Sequence, residues 1–259
     1  MQKKIIVIKI GGSTLGNHDT TLEDLVELQK QEMSLVVVHG GAKVTSEWLA
    51  RLGIPTSFIQ GLRVTDAETL KVVAAALGGL VNKELVVAIQ ALGGKAIGLS
   101  GCDGNLLWAT LKSPELGYVG EIVAVDPAPL KLLLDAGYMP VVAPISFGSV
   151  EGRTMLLNIN GDTAAGEIAA ALAAAKLIFL TDVDGIRDAS GKVISRLNIT
   201  EVNTLLNSEI ASGGMVPKIE ASLKALTTAP SARIIDGRIP HALLRETQNG
   251  TGGTSIVPE

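Results

Sequence analysis

The chain has few of the residues that signal a disulfide scaffold or a nucleic-acid partner. A single cysteine, Cys102, excludes an internal disulfide bond. Lys and Arg number 22 against 26 Asp and Glu, a net charge of −4, and no segment concentrates five or six basic residues. We therefore expect no nucleic acid as a partner.

Long hydrophobic runs are also missing, although 47% of the residues are hydrophobic. The longest stretch without a charged side chain spans residues 136–150 and is interrupted by Pro140 and Pro144, so it is too short for a spanning helix. The start, MQKKIIVIK, leads directly into an apolar strand pattern without the long apolar segment of a signal peptide. The sequence predicts a cytoplasmic protein with no membrane partner.

Common site motifs are absent as well. The sequence contains no P-loop, no complete dinucleotide fingerprint, no nucleophile elbow and no zinc-protease motif. His18, His39 and His241 are far apart and no cysteine pair accompanies them, so no metal site is predicted. Aromatic residues make up only 3% of the chain, whereas glycine is in excess, with 29 residues.

Short apolar runs rich in Val and Ile alternate with helical stretches along almost the whole chain. This alternation is typical of βαβ units and predicts an α/β fold, a three-layer αβα sandwich with a central, mainly parallel sheet. The strands expected in that sheet are residues 5–10, 35–39, 95–100, 139–145, 177–181 and 232–235. Residues 107–111 and 119–125 flank a Ser-Pro-Glu-Leu-Gly turn and predict an inserted hairpin.

Helix starts and one domain boundary can be placed in this pattern. Thr65-Asp66-Ala67-Glu68 predicts a capping box, with Thr65 as the cap, and Asp126 is a capping acid before a first-turn proline. An alanine-rich helix begins near Asp162 and ends before the strand at 177–181. We therefore expect an N-terminal lobe of residues 1–175 and a C-terminal lobe of residues 176–259.

Three glycine-rich turns follow predicted strands. They contain Gly11-Gly12, Gly40-Gly41 and the run Thr181-Asp182-Val183-Asp184-Gly185. Glycine lets backbone N–H groups approach an anion, and open parallel sheets bind ligands beyond the carboxyl ends of their strands. Each turn taken alone has a second explanation, because strand-to-helix turns often need a positive φ.

Four polar residues near such turns are candidates for chemistry. Lys9 ends a strand that should be buried, and Lys218 follows Gly213-Gly214 at the head of a helix, a favourable seat for phosphate. Either lysine could instead be an ordinary surface residue. Arg63 could hold a carboxylate bidentately or lie in solvent, and Asp162, from these residues alone, is better interpreted as an N-cap.

An extended segment over residues 155–160 would place Asn158 and Asn160 on one face, just before Asp162. Two amides on one face are costly in a core and useful in a site. The sequence therefore predicts that both amides line a binding surface.

In this order and spacing, the segments resemble the amino acid kinase family, and within it the enzymes that phosphorylate N-acetyl-L-glutamate. The resemblance spans nearly the whole chain and includes VIKIGGS, VVVHGGAKV, QGLRVTDAETL, VNKEL, LNINGDTAAGEIAAAL, LIFLTDVDGI, SGGMVPKIEASLKAL and GTSIV. It implies transfer of the γ-phosphoryl group of ATP, with Mg²⁺ carried by the nucleotide, to the side-chain carboxylate of N-acetyl-L-glutamate. The acyl phosphate so formed belongs to arginine biosynthesis.

The resemblance also implies roles for individual residues. Lys9 and Lys218 stabilise charge on the transferring phosphoryl group, and Asp162 holds both lysines. The turns with Gly11, Gly12, Gly40 and Gly41 face the phosphoryl group and the acyl amino acid, and Arg63 and Asn158 bind that substrate. The nucleotide side comprises Thr181, Asp182, Val183, Asp184, Gly185, Ile186, Ile210, Ala211, Ser212 and Gly214.

Physical chemistry supports these implied roles. Phosphoryl transfer needs positive charge and oriented N–H groups more than covalent catalysis. A carboxylate nucleophile is already ionised at neutral pH, so no strong base is required. Because Lys9 and Lys218 belong to different lobes, we expect the lobes to close on binding.

The chain departs from the family at Ala42-Lys43, where Gly-Pro is usual. Alanine costs little unless that position needs a positive φ. Arginine-regulated members carry an additional N-terminal helix, for which Lys9 lies too near Met1. We therefore expect a homodimer that arginine does not inhibit, and the resemblance leaves open whether a nitrogen-regulatory protein binds.

Two alternatives were weighed against this function. A kinase of lysine biosynthesis with a carrier-protein-linked aminoadipate or glutamate substrate would favour a basic rim near Arg63, but basic and acidic residues are balanced over residues 43–71. A non-catalytic ligand-binding protein on the same fold would not need Lys9, Asp162 and Lys218 together.

Overall fold

The structure, a computed structural model, describes residues 4–11, 20–208, 213–250 and 252–259. The strands are β1 Ile5–Ile10, β2 Ser34–His39, β3 Phe58–Ile59, β4 Leu62–Arg63, β5 Ala96–Ser100, β6 Leu107–Leu111, β7 Gly120–Val125, β8 Met139–Ala143, β9 Ile145–Val150, β10 Arg153–Asn158, β11 Lys176–Thr181, β12 Arg196–Asn198, β13 Ala232–Asp236 and β14 Thr254–Val257. The helices are α1 Thr21–Lys30, α2 Ala42–Arg51, α3 Ala67–Ala74, α4 Asn82–Ala91, α5 Ala128–Asp135, α6 Gly161–Ala171, α7 Ile199–Asn207, α8 Met215–Ala225 and α9 Ala242–Asn249. A π-helical segment, Ala75–Val81, joins α3 to α4.

The central sheet confirms the predicted fold class. Its strands lie in the order β12-β14-β13-β11-β1-β2-β8-β5. Neighbouring strands are parallel, apart from the antiparallel pair β13 and β14. The carboxyl ends of β1, β2 and β11 therefore meet at one edge, which is where the glycine-rich turns lie.

Helices cover both faces of this sheet because its strands are apolar on both sides. Ile8 of β1 belongs to an apolar cluster with Leu25 of α1 and Ile89 of α4, whereas the adjacent Val7 belongs to a second cluster with Ile168 of α6. Successive side chains of a strand point to opposite faces. One strand thus serves two cores, and the result is the three-layer αβα sandwich.

A smaller sheet, with the order β10-β9-β6-β7, extends from this sandwich. Its antiparallel pair β6 and β7 confirms the predicted hairpin. The single strand predicted over residues 139–145 is wrong, because β8 ends at Ala143 and β9 begins at Ile145. Pro144 separates them, and proline has no N–H group with which to continue a ladder.

Two predicted helix caps also need correction. The cap of α3 is Asp66 and not Thr65, because the Asp66 carboxylate accepts a hydrogen bond from the Thr69 N–H at 2.8 Å. The cap of α6 is Asn160, whose side-chain oxygen accepts from the N–H groups of Asp162 and the following residue. The interpretation of Asp162 as an N-cap is therefore wrong.

Helices α6 and α8 lie close together because Gly166 leaves no side chain between them. A Cβ at Gly166 would lie 2.5 Å from the Ala221 carbonyl oxygen. This close packing brings the first turns of the two helices near each other, across the lobe boundary that we expect at residue 175. The boundary itself stays a prediction.

One helical stretch, Ala67–Ala91, is long and apolar enough to cross a membrane by length and composition alone. A core helix of a soluble protein passes the same test. Here Leu85 and Ile89 of the stretch pack with Met139 of the central sheet. The stretch is therefore weak evidence for a membrane span.

Candidate active site

A cavity of about 190 Å³ lies at the carboxyl ends of β1 and β2, where open parallel sheets bind ligands. Most of the predicted catalytic and substrate-binding residues line it, namely Lys9, Gly40, Gly41, Arg63, Asn158 and Asp162. A second cavity of about 560 Å³ shares Gly61, Leu62 and Asn160 with the first and extends to Gly213 before α8. The fold thus brings together residues that are widely separated in sequence.

Lys9 reaches the cavity from β1, on the same face of the strand as Val7. Its side chain is only 10% exposed, and its Nζ lies 2.8 Å from Asp162 Oδ1. A lysine is rarely buried unless it is paired. The interpretation of Lys9 as an ordinary surface lysine therefore does not fit.

Asp162 lies in the first turn of α6 and faces the cavity, since Asn160 supplies the cap. Its second oxygen, Oδ2, accepts a hydrogen bond from Lys218 Nζ at 3.0 Å. Burial by itself raises the pKa of Asp162, but the charges of Lys9 and Lys218 outweigh burial and hold that pKa below its ordinary value. The ionised carboxylate therefore bridges two ammonium groups.

Lys218 comes from the first turn of α8 and is also largely buried, with 13% of its side chain exposed. Its Nζ donates a second hydrogen bond to the Gly214 carbonyl oxygen at 3.1 Å. Lys9 and Lys218 already share one carboxylate in this structure. Closure of the lobes on binding stays a prediction.

The Gly40-Gly41 turn leads from β2 into α2. The N–H of Gly40 is used by the sheet, since it donates to the Ile10 carbonyl oxygen at 2.9 Å. Gly41 has a φ of 155°, and a Cβ there would lie 2.5 Å from Leu77 Cδ2, so only glycine fits. Its N–H has no hydrogen-bond partner in the described part of the chain, at the positive end of a helix.

Ala42 is compatible with this turn. It is the first residue of α2 and is not among the residues with a positive φ. Alanine therefore fits where the family usually has glycine.

Arg63 and Asn158 also line the cavity. Arg63 Nη2 donates to the Ala42 carbonyl oxygen at 3.1 Å and to Ser46 Oγ at 2.8 Å. Within the residues that the structure describes, its buried Nη1 has no partner, and burial lowers the pKa of Arg63. Asn158 Nδ2 donates to Thr65 Oγ1 at 3.0 Å, so this contact does not use its amide oxygen. Asn160 lines the same cavity, as predicted, and its amide oxygen also caps α6.

The predicted nucleotide loop lies at the same sheet edge, at the end of β11, but its residues line neither of the two cavities. It comprises Thr181, Asp182, Val183, Asp184, Gly185 and Ile186. Gly185 has a φ of 141°, and the Ile186 N–H donates to Thr254 Oγ1 at 2.8 Å. Gly214 stands before α8.

Four predicted site residues, Gly12, Ile210, Ala211 and Ser212, lie outside the described residues. Gly11 lies at the sheet edge, and its N–H donates to the Leu180 carbonyl oxygen at 3.1 Å. Three supporting residues of the site were not predicted from the sequence, namely Ser46, Thr65 and Thr254. All three lie in or beside segments that carry the resemblance, but their contacts depend on tertiary structure.

The site can stabilise negative charge and hold an acid. Two ammonium groups share one carboxylate, an unpaired N–H stands at a helix N-terminus, and a guanidinium with an unpaired nitrogen lines the same cavity. Oriented donors and cations without a covalent nucleophile are the parts that phosphoryl transfer requires. The fold and site define a phosphotransferase that acts on a small acid.

Comparison with known proteins shows the family to which the chain belongs. The sequence model of the amino acid kinase family matches residues 4–236. An acetylglutamate kinase of Dehalococcoides mccartyi is 46% identical over 98% of this chain and 94% of that protein. The structure of smu.665 from Streptococcus mutans UA159 superposes with a TM-score of 0.84 at 29% identity, covering 98% of this chain and 99% of that one.

A third relative is the N-acetylglutamate synthase of Neisseria gonorrhoeae, whose structure holds coenzyme A and N-acetyl-glutamate. It has a TM-score of 0.84 at 28% identity, and the match covers 99% of this chain and 60% of that one. The chain belongs to the amino acid kinase family. The resemblance inferred from the sequence motifs is thereby confirmed.

Proposed function

We propose that this protein is an acetylglutamate kinase, which transfers the γ-phosphoryl group of ATP to the side-chain carboxylate of N-acetyl-L-glutamate. The observation that carries the proposal is the cavity lined by Lys9, Asp162 and Arg63, whose Asp162 carboxylate also binds Lys218 of α8. Similarity to acetylglutamate kinases over nearly the full length supports the same substrate.

The acid is bound by Arg63 and Asn158, which line the cavity with Lys9. Arg63 has one nitrogen anchored to Ala42 and Ser46 and the other free to meet a carboxylate. Arginine pairs with carboxylates through two parallel hydrogen bonds, so an anchored guanidinium orients its partner. The amide oxygen of Asn158 can accept from an N–H such as that of the acetamido group.

Phosphoryl transfer then follows without a covalent enzyme intermediate. An oxygen of the substrate carboxylate forms a bond to the γ-phosphorus, and the bond from that phosphorus to the bridging oxygen of ATP breaks, which releases ADP. Lys9, Lys218 and the Gly41 N–H stabilise the charge that spreads over the phosphoryl oxygens. Asp162 binds both ammonium groups and holds them in place.

ATP is held on the side of the loop after β11 and the start of α8. Within the described residues, no group of three His, Cys, Asp or Glu side chains could hold a metal ion. The proposal therefore has Mg²⁺ enter bound to the phosphates of ATP. It further includes a role in arginine biosynthesis, a homodimer and a cytoplasmic location, as the sequence analysis expects.

The test is a product assay with purified protein, MgATP and N-acetyl-L-glutamate in the presence of hydroxylamine. An acyl phosphate reacts with hydroxylamine to give a hydroxamate, so one hydroxamate should form for each ADP. L-glutamate is the matched control, because it lacks only the acetyl group. Turnover with a carrier-linked acid and none with N-acetyl-L-glutamate would assign the protein to the alternative kinase, and ligand binding without ADP release would make it a non-catalytic protein.

A further inference from the structure

His39 is the last residue of β2 and directly precedes the Gly40-Gly41 turn. The side chain is fully buried. Its Nδ1 lies 2.7 Å from the Gly40 carbonyl oxygen. Because a carbonyl oxygen can only accept, Nδ1 carries the proton and donates it.

The opposite ring nitrogen is fixed by Asn82. Nε2 lies 3.2 Å from Asn82 Nδ2, a nitrogen that can only donate and that also lies within hydrogen-bond distance of the carbonyl oxygens of Val141 at 2.8 Å and Leu99 at 3.3 Å. Asn82 Oδ1 accepts from Lys83 Nζ at 3.0 Å, so the orientation of the amide is set by its partners. Nε2 must therefore accept, and His39 is neutral with its proton on Nδ1.

The electrostatic surroundings keep His39 neutral. Burial lowers its pKa to about 4, and the positive charges of Lys9 on β1 and Lys83 on α4 act in the same direction. The hydrogen bond to Gly40 opposes this change and is the smaller effect. The ring therefore holds a single tautomer across the physiological pH range.

The fold leaves space for the Asn82 side chain because residue 98 is a glycine. A Cβ at Gly98 of β5 would overlap Asn82 Oδ1. Asn82 is also the first residue after the π-helical segment, which packs Leu77 and Val81 against Gly41. Single π-helical turns inside α-helices are frequent at functional sites.

The bond between His39 and Gly40 sets the direction of the next N–H. In a trans peptide the C=O of Gly40 and the N–H of Gly41 point in opposite directions. Since the carbonyl is held toward the buried ring of His39, the Gly41 N–H is directed away from it, toward the cavity that Gly41 lines.

We propose that His39, oriented by Asn82, is a positioning residue that aims the Gly41 N–H at the phosphoryl group during transfer. The proposal rests on the proposed function. His39 does not touch the substrate, so it acts only through the peptide between Gly40 and Gly41. The expected signature is a loss of turnover with little loss of substrate binding.

The tautomer can be read directly from long-range ¹H–¹⁵N spectra of protein labelled in its imidazole nitrogens. The chain has only three histidines, and His39→Gln assigns the signal. Nδ1 should be protonated and Nε2 unprotonated from pH 5.5 to pH 8. A proton on Nε2, or a ring that titrates within this range, would overturn the proposal. This result is independent of which substrate the protein uses.

The kinetic test uses His39→Gln and Asn82→Leu, with His241→Gln as the matched control. Losing one oriented donor costs about 10²–10³ in kcat, and misaligning it should cost about 10–100-fold. We expect kcat to fall by that factor in both variants, with the KM of ATP and of N-acetyl-L-glutamate changed by less than about threefold. The control should keep the wild-type kcat, because His241 directly precedes α9, contacts Asp24 and does not line the cavity.

Values of kcat within about twofold of wild type in both folded variants would refute the positioning role.

If these variants fail to fold, Asn82→Asp decides instead. A carboxylate at residue 82 favours a proton on Nε2 of His39. Above the pKa that His39 has in this variant, the neutral ring then has no proton on Nδ1 to donate to Gly40. Below that pKa, the imidazolium carries a proton on both nitrogens. The kcat of Asn82→Asp should fall with rising pH between about 6 and 8, where the wild type is flat. A flat profile for this variant would overturn the proposal, while an inactive wild type would count against the proposed function alone.

Discussion

At the scale of single residues, the centre of the site is one carboxylate. Asp162 is 7% exposed in its side chain and touches Lys9 at 2.8 Å and Lys218 at 3.0 Å. Buried charges are stable only when they are paired, and removing one partner leaves the others uncompensated. Here one carboxylate does not neutralise two ammonium groups, so the site retains a net positive charge that the negatively charged phosphoryl group can balance.

We predict that Asp162→Asn lowers kcat by about 100-fold or more. An amide accepts from one lysine but carries no charge, so the two ammonium groups repel each other and leave their positions. Glu167→Gln is the control on the same helix, since Glu167 pairs with Lys224 at 3.1 Å and lies outside both cavities. Steady-state kinetics of both variants measure the effect. Equal kcat values for the two variants would remove Asp162 from the mechanism.

At the scale of elements, β14 supports the nucleotide loop through one side chain. Thr254 Oγ1 accepts from the Ile186 N–H at 2.8 Å and donates to the Ile194 carbonyl oxygen at 2.7 Å. It also fills the space beside Gly185, where a Cβ would lie 2.7 Å from that oxygen. The loop after β11 thus takes its shape from the C-terminal strand.

We predict that Thr254→Val raises the KM of ATP by about 10-fold and leaves that of N-acetyl-L-glutamate within about twofold. An unpaired buried N–H costs about 1–3 kcal/mol, which is enough to disturb the loop. Thr247→Val is the control, because the Thr247 hydroxyl only donates to carbonyl oxygens of its own helix. Michaelis constants for both substrates provide the measurement, and an equal rise in both constants would contradict a role confined to the nucleotide loop.

Local sequence patterns predicted which helices and strands form better than they predicted the residues at which those elements begin and end. The hairpin of β6 and β7 followed from two apolar runs around a turn, and the strands of the central sheet from their length and β-branched residues. The cap of α6 did not follow, because Asn160 and Asp162 are both good caps and the choice depends on Lys9 and Lys218, which come from other parts of the chain. Likewise, β8 and β9 were joined because an apolar run does not show where a strand leaves one sheet for another.

At the scale of the whole molecule, sheet topology determines which residues meet. Lys9, Gly41 and Asp162 were predicted as site residues because a family resemblance named them, and the order of the parallel strands brings them together. The contact between Asn82 and His39 was not predicted, since it requires β2, β8 and β5 to be neighbours and Gly98 to leave space. No local signal in the sequence carries that information.

The same buried histidine makes the stability of the whole molecule depend on pH. The pKa of His39 is about 4 in the folded protein and 6.5 in the unfolded chain, so between these values the unfolded chain binds more protons. Stability must then fall as pH falls from about 6.5 to 4, by about 3 kcal/mol from this group. Asp162, whose pKa is lowered in the folded protein, adds a further loss of stability at pH values below its ordinary pKa. Asp24, whose pKa is raised by burial, has the opposite effect on stability. We predict that the thermal midpoint of the wild type falls more steeply over this range than that of His39→Gln. Parallel curves for the wild type and His39→Gln would show that the imidazole is not held neutral by the fold.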